Sequence, residues 1–411
     1  MYKAKNDSGE HPLKHKWSFT ARFRAGAYGW KASKLAVQRI REAVREIKAV
    51  NRHDRLPAAE GAVLFIEKLV PAIRDVDSSS GALGTAANNA LRDLAGIIAH
   101  AEVDPQTREK WLERIWEAVQ NDGYGYLDTL PDIWGELCVN KEIASRWADR
   151  FIDTVKHSWQ QGGYFAGIPA CLSCLLAAGR YEELLDLLEQ APHIWWAYRR
   201  FGVRALLKLG RKAEALRYAK ESCGLNDNHI EMEEMCEEIL LSSGLREDAY
   251  RQYAIPRLAS MPGLASFRKV AKKYPEKGKK EILHDAVDST PDEPGKWFAT
   301  ARQLEIPDLA VELAWSSPVD PRTLNRAARE YRESNPDFAM DFAMASLHWM
   351  SQGWGYHITA LDVLSAHSIA MEAARKLGKE KEVRVRISGI VKKDSSPGMF
   401  LKQVLDNYTH I

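Results

Sequence analysis

Cysteine is scarce in this 411-residue chain: Cys138, Cys171, Cys174, Cys223 and Cys236 form an odd, scattered set that argues against a disulfide framework and for reduced thiols. A dominant charge is lacking too, because 58 Lys and Arg against 56 Asp and Glu leave a formal +2, so global electrostatics names neither nucleic acid nor a membrane as a partner. No uninterrupted apolar stretch approaches the roughly 20 residues of a membrane span, and the polar, basic run Met1 to Trp17 has no apolar core of a secretory leader. These absences lead to the expectation of a cytoplasmic protein with no membrane partner. Strand-type alternation of Val, Ile and Thr with polar residues is nearly missing as well. Apolar residues at 45% and charged residues at 28% are enough for a sizeable core, which excludes a collagen-like or disordered chain.

What is present is helical periodicity. Val37, Ile40, Val44 and Ile47 follow the three-and-four spacing of one helix face, with Ala, Leu, Glu, Lys and Arg between them. The pattern predicts an all-α chain with helices near 31–52, 58–74, 82–100, 106–121 and 141–159. Asp104 followed by Pro105 reads as an N-cap with proline at the first helical position. In the second half the chain repeats itself. Leu175 to Leu184, Leu206 to Ala215 and Leu240 to Ala249 share an apolar run, a glycine and a charged restart, and Gly179, Gly210 and Gly244 are 31 and 34 residues apart. Each unit reads as a helix stopped by a glycine at positive φ, followed by its antiparallel partner. Downstream, Pro275, Pro307 and Pro336 are expected just inside helix starts, and Leu377-Gly378-Lys379 is a last echo.

These segments resemble the tetratricopeptide-like superfamily of helical repeats, well over 165 to 260 and loosely to 390, with Gly179, Gly210 and Gly244 at the turn glycine and Ala215 and Ala249 at a small helix-B position. The chain also looks like a group of bacterial helical proteins, through Asp77 to Thr85 and Trp134-Gly135-Glu136-Leu137-Cys138. No activity comes with that resemblance. The superfamily implies a right-handed α-solenoid of stacked antiparallel helix pairs, each covering its neighbour's apolar face. The expected organisation is a flexible basic tail over 1–16, a helical N-terminal region over 17–160, repeats over 161–395 and a C-terminal segment over 396–411.

Charge is distributed unevenly along the chain. From Lys3 to Arg55 there are 14 Lys and Arg against 5 Asp and Glu. Lys34, Arg41, Arg45, Lys48 and Arg52 fall on one helical stripe, expected opposite the apolar face, and Trp17, Phe19, Phe23, Tyr28 and Trp30 are interleaved with nearby cations. Such mixing suits a phosphate-tracking, base-stacking surface or an acidic partner. The plainer account is a solvated face with the aromatics buried beneath it. Glu221 to Ala249 is the acidic counterpart, nine Asp and Glu against one Arg, available to pair within the chain, between copies or with a partner.

Other constellations carry less. Cys171 and Cys174 form a CxxC without a second ligand pair, in apolar surroundings that read as two buried thiols, and the twelve histidines form no metal-binding motif, so neither metal nor cofactor is expected. Asp75 to Thr85 is rich in Ser and Gly and opens an Ala-rich helix. Ser80 as N-cap is the preferred reading, with phosphate at the helix start as the alternative. Asn121 to Asp128 holds two carboxylates and two phenols, and its glycines are explained by turn geometry. Two aromatic clusters, Trp195, Trp196, Tyr198, Arg199 and Arg200, and Trp349, Trp354 and Tyr356, contain the residue types of binding hot spots. The expectation is a non-enzymatic scaffold that binds a protein or peptide there. A nucleic-acid-binding protein using the basic stripe is the alternative, followed by an enzyme whose site only the fold assembles; self-association is a further option.

Overall fold

The computed structural model describes residues 15–163, 165–224, 227, 229–391 and 396–409. Among these the chain is helical throughout, with no strand, and no helix is long and apolar enough to cross a membrane. The expected tail over 1–16 lies outside the described residues up to position 14. The five helices anticipated in the first part are present as Ser33–Asn51, Arg55–Ile73, Ala82–Ala99, Pro105–Gln120 and Lys141–Gln160. Asp104 caps as expected, accepting the Thr107 amide at 2.9 Å, with Pro105 first in the helix. The short helices Phe19–Arg22, Thr129–Asp132 and Trp134–Cys138 were not anticipated.

The chain divides into two compact units, Met1–Met232 and Glu233–Ile411. In the first, Ser33–Asn51, Arg55–Ile73 and Ala82–Ala99 pack mutually. Trp17, Phe19, Phe23 and Tyr28 are buried against them, Phe19 and Phe23 meeting Phe65 edge-on at 5.6 and 5.0 Å, which favours the plainer account of those aromatics. The Trp17 ring lies 2.2 Å from where a Cβ on Gly61 would sit, so only glycine admits it. Trp116, Trp134, Trp147 and Phe151 form a second buried cluster further along the unit.

The repeat glycines behave identically. Gly179, Gly210 and Gly244 have φ of 83°, 78° and 79°. In each case the following amide bonds back six residues' span to a leucine carbonyl, Arg180 to Leu175, Arg211 to Leu206 and Leu245 to Leu240, at 2.9–3.0 Å. This is the Schellman ending, and the positive φ that it demands is why glycine recurs there. Helices Ile168–Ala178 and Tyr181–Glu189, then Trp196–Lys208 and Lys212–Glu221, form successive pairs in contact within the first unit.

In the second unit, Pro307 and Pro336 open helices Pro307–Ser316 and Pro336–Ser351, and Pro321 opens Pro321–Tyr331 behind the Asp320 cap. Pro275 does not: it lies in a turn ahead of Lys279–Asp288, whose N-cap is Gly278. Arg246–Ala249 continues through a π turn, Tyr250–Ala254, into Ile255–Ser260. Pro256 has no N–H and crowds the preceding turn, and the widened turn relieves both. The core joins Pro336–Ser351 to Pro321–Tyr331 and Ala360–Leu377, with Phe342 edge-on to Phe298 at 5.2 Å.

Candidate functional site

Helix Ser33–Asn51 buries Ala36, Ile40, Ala43, Val44 and Ile47. Its cations Arg41, Arg45 and Lys48 flank that face rather than oppose it as the stripe predicted, because a step of one or four residues from Val44 turns only part of the way around the helix. They form one wall of an open groove of about 510 Å³, floored by Ile40 and Val44. The other wall is the start of helix Ala82–Ala99, contributing Ser80, Gly81, Ala82, Thr85, Asn89 and Asp93. Ala86, Ala87 and Ala90 are small enough to let the two helices pack closely below it. The basic stripe and the Ser/Gly run, two separate features of the sequence, meet here.

The helix start is shaped by its loop. Asp77 accepts the Ser79 amide at 3.0 Å, which with the Ser79 hydroxyl holds its carboxyl below the usual range, and the Gly81 amide reaches Ser78 at 2.9 Å. Gly81, at φ 70°, is the N-cap instead of Ser80, whose hydroxyl lies 3.4 Å from the Ala82 amide. The amides of Leu83 and Gly84 have no acceptor among the described residues, as expected in a first helical turn. Arg41 and Arg45 are exposed and have no acid at ion-pair distance among the described residues, whereas Lys48 meets Asp93 at 2.7 Å. Lys34 and Arg52 are exposed, one on the same helix and one just past its end, outside the groove lining. Trp30, 67% exposed, precedes Lys34 by one turn, and its carbonyl accepts the Asp77 amide at 3.0 Å, fixing it beside the same loop. Asn89 and Asp93 were not anticipated. Their signal was Thr85, Asn89 and Asp93 at spacings of four, a polar line on an otherwise alanine-rich helix.

The aromatic clusters divide by exposure. Trp196, Tyr198 and Arg199 are buried, Trp196 donating to Glu231 at 3.2 Å and Arg199 bonding Glu189 at 2.9 Å and the Tyr218 hydroxyl at 2.7 Å. Arg200 is held between Asp132 and Glu231 at 2.6 and 3.3 Å. Trp195 stays half-exposed beside a small apolar hollow of about 140 Å³ formed with Trp159, Ile168 and Tyr198. In the second unit, the Trp349 indole donates to the Ala314 carbonyl at 2.7 Å, while Trp354 and Tyr356 are exposed in a glycine-bracketed turn.

Elsewhere the side chains serve the fold. Cys171 and Cys174 are buried, and burial pushes the Cys171 thiol up to about 12; the Cys174 sulfur lies 4.0 Å from that of Cys138. Asp122 accepts the Tyr124 and Leu127 amides, closing the Asn121 to Asp128 turn, and burial followed by Asp122 and Asp132 raises the Asp128 carboxyl. The acidic segment finds local bases: Glu231 with Arg200, Glu247 with Arg251 and Lys277, and Glu237 with Arg257 and Lys273. No protein-family model, curated protein or solved structure matches the chain.

Proposed function

We propose that this protein binds single-stranded nucleic acid through the groove between helices Ser33–Asn51 and Ala82–Ala99, as a binding module rather than a catalyst. One observation carries the reading: Arg41 and Arg45, two guanidiniums with no acid partner among the described residues, share a groove with the start of helix Ala82–Ala99, whose loop also holds the exposed Trp30. Cations recognise phosphate, the positive end of a helix dipole favours it, and an exposed indole offers a platform on which a base stacks. Lys34 and Arg52 extend the positive line beyond the groove at either end. The test is fluorescence anisotropy with short single-stranded oligonucleotides. Two phosphate contacts, at Arg41 and Arg45, imply that affinity falls about sevenfold between roughly 50 and 200 mM salt. Charge reversal, Arg41→Glu with Arg45→Glu, is expected to lower it at least about tenfold. Binding that ignores both salt and the reversal rejects the proposal.

A second reading is a scaffold for a protein or peptide, in which the helix pairs are tetratricopeptide-like units of a right-handed solenoid. It is favoured by the shared Schellman endings and by the solvent-facing Trp195, Trp354 and Tyr356. Its mark is one stoichiometric partner that co-purifies with the protein and is lost on Trp195→Ala or Trp354→Ala with folding intact.

A further inference from the structure

Helix Ala82–Ala99 also borders a second trough, further along its length. Thr85, Asn89 and Asp93 face the groove, whereas Arg92, Ala95 and Gly96 line a separate cavity of about 340 Å³ with Thr129, Asp132, Glu136, Arg200, Arg204 and Glu231. Asn88 accepts from the Thr129 hydroxyl at 2.9 Å, which fixes the cavity's rim to the helix. The two troughs differ in charge. The groove carries three cations against one acid, but in the cavity three arginines meet three carboxylates, and Arg200 is already neutralised by Asp132 and Glu231. Arg92, Arg204 and Glu136 are left, all exposed and without an ion-pair partner among the described residues. Arg204 also lies over the Phe201 ring at 5.8 Å, which presents its guanidinium as a flat plate. Gly96 has open space where a side chain would stand, which leaves the cavity wall low at this point.

A neutral cavity with forked donors and a free carboxylate is poorly suited to phosphate and well suited to the edge of a nucleobase, which offers donors and acceptors side by side. In a nucleotide the base lies across the sugar from the phosphate. The two troughs adjoin along the helix, Asp93 lining one and Arg92 the other, so a strand held by its phosphates in the groove can place a base in the cavity. We propose that the cavity at Arg92, Glu136 and Arg204 is a nucleobase pocket that gives the strand-binding groove a base preference. This rests on the nucleic-acid reading above and adds selectivity to it.

The experiment uses the full chain and homopolymeric single strands of adenine, cytosine and thymine, titrated by anisotropy over a range of salt. The wild type is expected to prefer one base by about tenfold, the worth of one good bidentate pair. Glu136→Gln combined with Arg204→Gln is expected to compress the preference to within about twofold, at a salt dependence set mainly by the groove. Both positions are exposed and outside the ion-pair network, so circular dichroism of the variant should match the wild type. Equal affinities for the three strands, or a preference that survives in the variant, overturns the pocket while leaving the groove standing. Absence of binding, or binding indifferent to Arg41→Glu with Arg45→Glu, overturns both.

Discussion

Glu237 has no solvent-exposed surface, yet it is the carboxylate on which three side chains converge: Arg257, Lys273 at 3.0 Å, and Tyr274 through its hydroxyl at 2.7 Å. Burial alone would raise its carboxyl, but the bonds from Arg257, Tyr274 and Lys273 outweigh that and hold it below the ordinary 4.5. Removing the acid strands a mostly buried guanidinium, so Glu237→Ala should cost about 3–5 kcal/mol in urea unfolding. A depressed carboxyl contributes stability above its unfolded value and loses it as pH falls through the folded one. Acid titration of the wild type should therefore show a loss below about pH 4.5 that Glu237→Gln lacks. Trp30→Ala, at an exposed site, should leave stability unchanged and weaken oligonucleotide binding by about tenfold, in line with the roughly 1–3 kcal/mol of one stacked base. Neither role was legible from sequence. Glu237 stood in a run of acids open to pairing within the chain, between copies or with a partner, and Trp30 among aromatics that are otherwise buried; only long-range packing separates one from its neighbours.

Long elements were legible because amphipathic periods accumulate over many turns, as in Ser33–Asn51 and Lys141–Gln160. Thr129–Asp132 and Trp134–Cys138 offer barely one turn each, too short for any period, and Pro275 carries the same local signal as Pro307 but precedes a turn. The groove was legible as two halves and not as a whole, since which face of Ser33–Asn51 meets Ala82–Ala99 is decided by packing. Glycine illustrates the two kinds of constraint within helices and their ends. Gly210 has open space around its absent Cβ and a φ of 78°, so Gly210→Ala should cost only the backbone penalty, about 1–2 kcal/mol. At Gly135 a Cβ would stand 2.3 Å from the Ser173 carbonyl oxygen, a backbone atom that has to move. Gly135→Ala should therefore cost more, up to about 3 kcal/mol, and loosen the Gly135 amide's 3.0 Å bond to the Ser173 hydroxyl. Paired thermal melts of the two variants compare the costs.

Over the whole molecule, the cysteines sample the cores of both units: Cys138, Cys171 and Cys174 in the first and Cys236 in the second are buried, and Cys223 is partly accessible. A thiol-reactive dye should modify one thiol readily in the native protein and the remaining four only on denaturation; early reaction of more than one would contradict the packing described. The all-α class was legible at this scale, because strand-type alternation is missing along the entire chain, whereas the division after Met232 falls inside helix His229–Ser242 and leaves no glycine- or proline-rich mark. The lack of strands among the described residues also bears on how copies of the protein meet. With every regular element closing its own hydrogen bonds, no ladder of free amides and carbonyls waits for another chain to extend it. Self-association, where it occurs, is then encoded in side chains alone and is open to abolition one substitution at a time.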